Sequence, residues 1–580
     1  MIMDELKGKL LKANKDGNFF EFIQEIYYQD RKGEKLLASA LAELHNDGDF
    51  NLVGLFKNFN NTPENHDFFS VRRVFEEVLP YLNSPVQDIA DCVKHLTLEA
   101  GQDMAAYMLL APFKEFCIKD DDRAKALLDI ALTNIDEDFD HLSTAIEAGV
   151  SKDEVAYVNQ AVELLTHKNE LVIQRAIFAL GRINYQDKTL LEPVAVAIKK
   201  SSESSPTDNI LATSMRALFA VVSQSDELEG LFLDFLDSHA DQLGDRYIHA
   251  SSEILFFDEQ KVSGKVEPKL LNICCYTKPE NKGTIDKIDY ALQRILKSNR
   301  FDDCVVFLER FFEISEYKLS VKHFDSFVRE LHNHRDTHLS ALITRWLLSK
   351  KIKLGKYASD LLRDSEKGIS ISFDQAYIAQ ENNGVHLFLA RKACGWFFNQ
   401  PKTAISLIES LIPDAPDNEL NDIQQLIFHP LCVSYPGSIR EHLETLNNSK
   451  DDSVKKIAAD VLSEYEDYRA SVKAALKINE LTPNEQDRHT YWRHHSKLMN
   501  ESMKQARSKS FLTSLFAGNE SVLLYGNKSI HYIHHGEQKT RQEVPLSEFS
   551  TSIEFASMHN LDPHGLENMI WQFKAEGCTS

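Results

Sequence analysis

The sequence predicts a mainly α-helical fold, a solenoid of stacked helix pairs carrying a small C-terminal α/β module that contains a β-hairpin. Three observations predict the solenoid. The first is an apolar stripe: in the stretch Glu170–Ile183, the residues Ile173, Ala176, Ile177, Leu180 and Ile183 fall at helical spacing, so one face of a helix must be buried. The second is an echo of that stretch, since Arg175-Ala-Ile-Phe-Ala-Leu180 returns 41 residues later as Arg216-Ala-Leu-Phe-Ala-Val221. A helix pair with its two turns needs about that length. The third is a shortage of turn formers, because 22 Gly and 16 Pro in 580 residues are too few for the tight turns of an all-β chain.

Size and composition agree. A chain of 580 residues exceeds what one core usually serves, so it implies several domains or one elongated array. A hydrophobic fraction of 43% supplies ample material for burial and excludes bulk disorder. The formal charge of −23 repels phosphate backbones, which disfavours nucleic acid as a partner. The first nine residues mix acids and bases without the apolar core of a signal peptide, and no run approaches the ~18 apolar residues of a membrane span. A cytoplasmic protein with no membrane association is the expectation. The eight cysteines (Cys92, Cys117, Cys274, Cys275, Cys304, Cys394, Cys432 and Cys578) include no Cys-x-x-Cys and read as buried thiols of a reducing compartment.

Taken in order, residues 1–150 read as helices of irregular spacing, the strongest being Asp67–Leu82 and Asp103–Ile118. Asn14–Gly17 and Asn46–Asp49 look like fragments of calcium loops. Aligning Gly17 or Gly48 with the sixth loop position places Lys12 or Glu43 first and Ile23 or Gly54 twelfth, so the bidentate Glu is missing and both read as turns. The acidic run Asp136–Asp140 is placed to cap the helix that follows.

Residues 151–483 continue as helical pairs. Leu211, Met215, Leu218 and Val222 share one face of Asp208–Ser223, and the helices Gly283–Ser298, Phe301–Ile314, Leu319–His332 and Thr337–Leu348 follow. The loops Ser201–Pro206, Thr277–Gly283 and Pro413–Asp417 are too short to act as flexible tethers. Near the end stands Asp451–Tyr465, with Asp before the helix, then Val, basic residues, and Ala and Leu on one face. Together with Pro85–Leu96, Leu171–Ile183 and Leu211–Val222, this segment resembles the second helix of the HEAT and armadillo-type repeats, over about 380 residues. The resemblance implies an α-solenoid. Its pattern is one of core packing, so it implies little about function.

After Pro483 the character changes. Residues 484–516 contain a basic helix, in which Arg488, Arg493, Lys497, Lys504, Arg507 and Lys509 stand against three acids. The segment 484–510 therefore carries +3 and the other 553 residues −26. With Tyr491 and Trp492 it reads as an electropositive contact site with aromatic anchors, for an acidic protein segment or for nucleic acid. Pairing of the same residues with the acids of the solenoid is the competing reading.

Residues 517–580 switch to alternating periodicity. Ser521–Tyr525 and Lys528–His535 read as a hairpin around Gly526-Asn527, with a second turn at Gly536–Lys539, further strands at Thr540–Val544 and Thr551–Ala556, and a last helix at Pro563–Ala575. An edge strand such as Lys528–His535 either takes up a partner strand or is protected from pairing by its Lys and His content.

No catalytic residue is singled out. His-Glu-x-x-His, Gly-x-Ser-x-Gly, Gly-x-Gly-x-x-Gly and the phosphate loop are all missing; Gly526-Asn-Lys-Ser529 lacks the upstream glycine of the last. His489, His494, His495, His531, His534, His535, His559 and His564 crowd the C-terminal end, yet neighbours such as His534 and His535 point to opposite faces of a strand. No metal and no cofactor is expected. The sequence thus points to a non-enzymatic scaffold or adaptor that grips a protein partner within a multi-protein assembly. The alternatives are a nucleic-acid-binding array using the basic helix, and a metal-dependent enzyme with its site in the His-rich module.

Overall fold

The computed structural model describes residues 3–30, 36–62, 67–101, 103–133, 135, 137–349, 351–362, 368–381, 384–478, 480, 483–508, 528–535, 538–545 and 554–577. It is dominated by helices and forms two compact units, Met1–Glu330 and Leu331–Ser580.

Unit 1 begins with α1 (Met3–Asp16), α2 (Phe19–Asp30), α3 (Leu36–Asn46), α4 (Leu52–Phe56), α5 (Phe68–Val78) and α6 (Val86–Glu99). From there the chain alternates between two layers. One is a ladder of α7 (Leu110–Ile118), α9 (His141–Val150), α11 (Glu170–Arg182), α13 (Asp208–Val222), α15 (Asp245–Phe257) and α17 (Lys282–Lys297), each packed on the next. The other consists of α8 (Asp121–Thr133), α10 (Glu154–Leu164), α12 (Leu191–Ser204), α14 (Glu229–Ser238), α16 (Val266–Cys274) and α18 (Phe301–Ile314). Two layers of antiparallel helices built from successive pairs make a helical repeat fold, as the periodicity implies.

The predicted stripes form the core between the layers. Ile173, Ala176, Ile177 and Leu180 of α11 are buried, as are Leu211, Met215, Leu218 and Val222 of α13. The repeat interval differs from the sequence echo: α11, α13, α15 and α17 begin at residues 170, 208, 245 and 282, intervals of 38, 37 and 37. The three-residue discrepancy from 41 is slightly less than one helical turn, so the echo keeps the buried face while shifting the contacts. Arg175 accordingly lies 3.6 Å from Asp140 on the helix before, whereas its counterpart Arg216 pairs with Glu253 on the helix after.

Polar clamps tie repeat to repeat. Asp140 caps α9 by accepting from the Ser143 amide at 3.0 Å, which is the role its position predicts. Asp208 of α13 reaches further and accepts from the Arg246 and Tyr247 amides of α15, both at 2.9 Å. Asp289 of α17 does the same for the Ser326 and Phe327 amides, at 2.8 Å each, at the start of α19 (Asp325–Asn333). Each clamp satisfies donors that a helix N-terminus leaves without an intrahelical partner.

Unit 2 contains α20 (Ser340–Leu348), α21 (Ile352–Leu362), α22 (Gln375–Ile378), α23 (Val385–Phe397), α24 (Pro401–Glu409), α25 (Asp417–Leu426) and α26 (Pro436–Leu446). α21 packs on α23, α23 on α25, and α24 on α26. Here a carboxylate clamp runs backwards, since Glu419 of α25 accepts from the Gly384 and Leu387 amides of α23 at 3.0 and 2.9 Å. α27 (Asp452–Ala475) buries Val454, Ile457, Ala458 and Val461 in its first half and exposes Val472 near its end. α28 (Glu485–Ser508) follows.

The predicted C-terminal α/β module requires correction. Strands β1 (Lys528–His535) and β2 (Gln538–Pro545) pair antiparallel, with His535 opposite Gln538 and Lys528 opposite Pro545. The partner of Lys528–His535 is thus the following strand; Ser521–Asn527, the other half of the predicted hairpin, lies outside the described residues. Glu554–Ala556, read as the end of a strand, is not one. The last helix, Pro563–Ala575, packs mainly on α23 of unit 2. The physical reason is that its buried residues find a larger apolar partner on the helical stack than a two-stranded ribbon offers. The segment therefore does not form a module of its own.

Candidate functional site

The predicted site falls on α28. Asn484 caps the helix, its side chain accepting from the Asp487 amide at 2.8 Å. Arg488, Arg493, Lys497 and Lys504 are exposed. At 100° per residue, Arg493, Lys497 and Lys504 lie within about 40° of one another around the axis, forming a basic stripe. Tyr491 and Trp492, 45% and 63% exposed, project elsewhere on the helix and cluster with His495, the three ring centroids lying 6.0–6.1 Å apart. The Arg507 side chain and Lys509 lie outside the described residues. Among the described residues these four cations form no ion pair, and α28 makes no extended contact with another element. Among the described residues, the competing reading, in which they neutralise acids of the helical stack, has no contact behind it.

The histidines converge nowhere described: among the described residues no group of three potential metal ligands comes together. His559 instead sits edge-on to Phe398 at 6.2 Å, while the side chains of His531, His534 and His535 lie outside the described residues. The described cysteines are buried, and burial pushes the thiols of Cys117, Cys275, Cys304, Cys394 and Cys432 up to about 12, which keeps them protonated and unreactive.

A second surface escapes sequence reasoning. Across α11, α13, α15 and α17 runs a groove of about 900 Å³. Its floor is made of small residues, Gly181, Ala212, Ala217, Ala220 and Ala250, and Phe178 stands 44% exposed at its edge. The helices can approach closely because of these residues: a Cβ at Gly181 would lie 2.5 Å from Ala217 Cα. Charges of both signs line the walls. Arg182 lies 5.3 Å above the Phe178 ring and 3.0 Å from Glu147, Arg216 pairs with Glu253, and Lys278 meets Asp245 at 2.9 Å. His249 Nδ1 is 2.8 Å from Thr284 Oγ1; burial and the neighbouring Lys287 charge hold its pKa below the usual value against the opposing pull of Glu253, so it is neutral at pH 7. An apolar floor between alternating charges is suited to holding a polypeptide segment. The one hydroxyl–imidazole contact among its described residues, Thr284 with His249, has Glu253 Oε1 3.7 Å from the other ring nitrogen, and Thr284 is buried. The signal in the sequence would have been the run of Gly and Ala on the helix face opposite the core stripe.

Unit 2 offers a corresponding face on α23, and there it is occupied. Lys392, only 2% exposed, lies 5.2 Å over Phe388 and donates to the Lys574 carbonyl at 2.7 Å. Arg391 pairs with Glu576 at 2.9 Å. Glu554 accepts from the amides of Gly437 and Ser438 at 2.6 and 2.9 Å, sealing the start of α26.

No family model and no curated protein sequence matches this chain. Among solved structures, an engineered protein from a structural genomics consortium is 17% identical and covers 80% of this chain and 98% of its own, at a TM-score of 0.18. A structure bearing on the phosphorylation-controlled interaction of cadherin with β-catenin is 12% identical with the same coverages and TM-score. At that TM-score neither likeness carries an argument. The assignment as a helical repeat protein stands on the stacked helices themselves. Among the described residues no helix is long and apolar enough to cross a membrane.

Proposed function

We propose that this protein is a non-enzymatic scaffold that holds a segment of a protein partner in the groove of unit 1. The observation that carries this reading is the open, small-residue floor across four consecutive ladder helices with an exposed phenylalanine at its edge. Selecting displayed peptides against the full chain tests it. Selected ligands should bind at least tenfold more weakly to Ala220→Arg, which fills the groove from a half-buried position, while the melting temperature stays unchanged. Ligands indifferent to Ala220→Arg would refute the groove as the site.

A second contact site on α28 is favoured by its unpaired basic stripe. Arg488, Tyr491, Trp492, Arg493, Lys497, Lys504, Arg507 and Lys509 would supply charge and aromatic anchors. The overall charge of −23 favours an acidic protein segment over nucleic acid there.

A further inference from the structure

The two ladder faces share a device. On α23, Phe388 carries the cation of Lys392 over its ring at 5.2 Å; on α11, Phe178 carries Arg182 at 5.3 Å. Both pairs are spaced i, i+4, so each helix presents an aromatic ring with a cation one turn further on. In unit 2 what this device holds is visible. The helix Pro563–Ala575 lies against α23 with its last turn at the cation: the Lys574 carbonyl accepts from Lys392 Nζ at 2.7 Å, and Glu576, just past the helix end, meets Arg391 at 2.9 Å. The unsatisfied carbonyls and negative pole of a helix C-terminus, followed by a carboxylate, are complementary to two adjacent cations. Gly395 makes the approach possible, since a Cβ there would lie 3.1 Å from Phe573 Cβ and 3.2 Å from the Lys574 amide nitrogen. The docked segment buries Leu566 fully and Met558 and Ala556 nearly so.

In unit 1 the same aromatic–cation pair borders the open groove, where Arg216, Arg246 and Lys282 stand among the acids Asp245, Glu253 and Glu280, with Arg216 paired to Glu253 and Arg182 to Glu147. A helical turn with its side chains, about 10–12 Å across and 5.4 Å long, fills roughly 500 Å³. A groove of about 900 Å³ is thus on the scale of a short helical segment rather than of a single side chain.

We infer that the segment held in the unit 1 groove is a short helix of a partner protein, docked with its C-terminal end at the Phe178–Arg182 pair and followed by a carboxylate that meets the groove cations. The inference rests on the reading of the groove as a protein-binding site and adds the conformation, polarity and terminal charge of the occupant. The tail of this chain, which satisfies the same device in unit 2, defines the chemistry: apolar residues on one face, a free C-terminal turn, an acid beyond it.

The probe is a fluorescein-labelled peptide of residues 554–577, titrated into the full chain and followed by anisotropy. Saturable binding is expected, weakened at least tenfold by Arg182→Glu and unchanged by Arg391→Glu. Phe178→Asp, at an exposed edge, gives the same loss should Arg182→Glu perturb folding through Glu147. Peptides carrying Glu576→Lys or the helix-breaking Leu566→Pro should each bind at least tenfold more weakly. Binding lost with Arg391→Glu but not with Arg182→Glu would mean exchange with the resident tail of unit 2 and would overturn the inference. Equal binding of the Leu566→Pro peptide would overturn it in favour of an extended chain, leaving the groove itself as a protein site. No binding at all would also overturn it, while the display selection judges the groove separately. Self-association of the full chain that Arg182→Glu abolishes would replace the partner helix by the tail of a second copy.

Discussion

Two neighbouring residues of α11 test the packing register at single-residue resolution. Ile177 is wholly buried between the layers, whereas Phe178, the next residue, is 44% exposed at the groove edge. Placing a carboxylate at each should therefore have opposite outcomes. Ile177→Asp removes a fully buried aliphatic side chain, whose truncation alone costs about 2–5 kcal/mol, and adds a group that must either stay charged without a partner or take up a proton. Together these should destabilise by on the order of 4–5 kcal/mol, a large part of the 5–15 kcal/mol that typically holds a domain. Because repeats support one another only through neighbours, the loss should appear first as local opening of α9, α11 and α13. Phe178→Asp should cost less than about 1 kcal/mol, since the ring already lies largely in water. Urea titration followed by circular dichroism gives the two free energies, and hydrogen exchange locates the opening. Equal effects of the two substitutions, or an Ile177→Asp protein that melts like the wild type, would refute the assigned register.

Gly181→Val should destabilise by about 1–3 kcal/mol in thermal melts, because its Cβ would fall 2.5 Å from Ala217 Cα and force α11 and α13 apart. Asp289→Asn should cost about 1–3 kcal/mol, since the amide can no longer accept from both the Ser326 and Phe327 amides. The pKa of Asp289 is raised, chiefly by burial and against the pull of those amides. The folded state therefore binds its proton more readily than the unfolded state does, so this group favours folding below its unfolded pKa and loses that contribution as pH rises through the raised folded value. The wild type should lose this increment of stability above about pH 4 and Asp289→Asn should not, as paired melts across pH 3–7 would show. Reversing Arg493, Lys497, Lys504 and Arg507 to Glu should leave the melting temperature within about 1–2 °C while abolishing any acidic ligand of α28, because exposed charges such as those of Arg493, Lys497 and Lys504 contribute little to stability. A marked fall in melting temperature would show that the helix packs against the body.

The helical class and the core were legible because they are local. Ile173, Ile177 and Leu180 reach one face through the helical period alone, and no knowledge of their neighbours is needed. The repeat interval was legible only to within a turn, since a shift of three residues leaves the same face buried. The groove was not legible. Gly181, Ala217 and Ala220 read as ordinary helix residues, and only the packing of α11 against α13 turns them into a floor. Nor could the tail be placed from sequence, because Arg391 meets Glu576 across 185 residues. In the tail, the strand read at Thr540–Val544 lies within Gln538–Pro545, the described partner of Lys528–His535, while the hairpin half Ser521–Asn527 lies outside the described residues.

The carboxylate clamps give the chain a direction. Asp208 on α13 seals the amides that open α15, and Asp289 on α17 seals those that open α19, so in both cases an earlier helix completes a later one. A chain emerging from the ribosome presents its N-terminal segments first. The helices carrying Asp208 and Asp289 therefore already hold the acceptors that α15 and α19 need, and at these two points assembly can proceed by templating towards the C-terminus. Glu419 reverses this order, because the amides of α23 wait for a residue on α25 that is synthesised later. At these clamps the order of completion differs: α15 and α19 meet acceptors already made, whereas the start of α23 is sealed only once α25 has arrived.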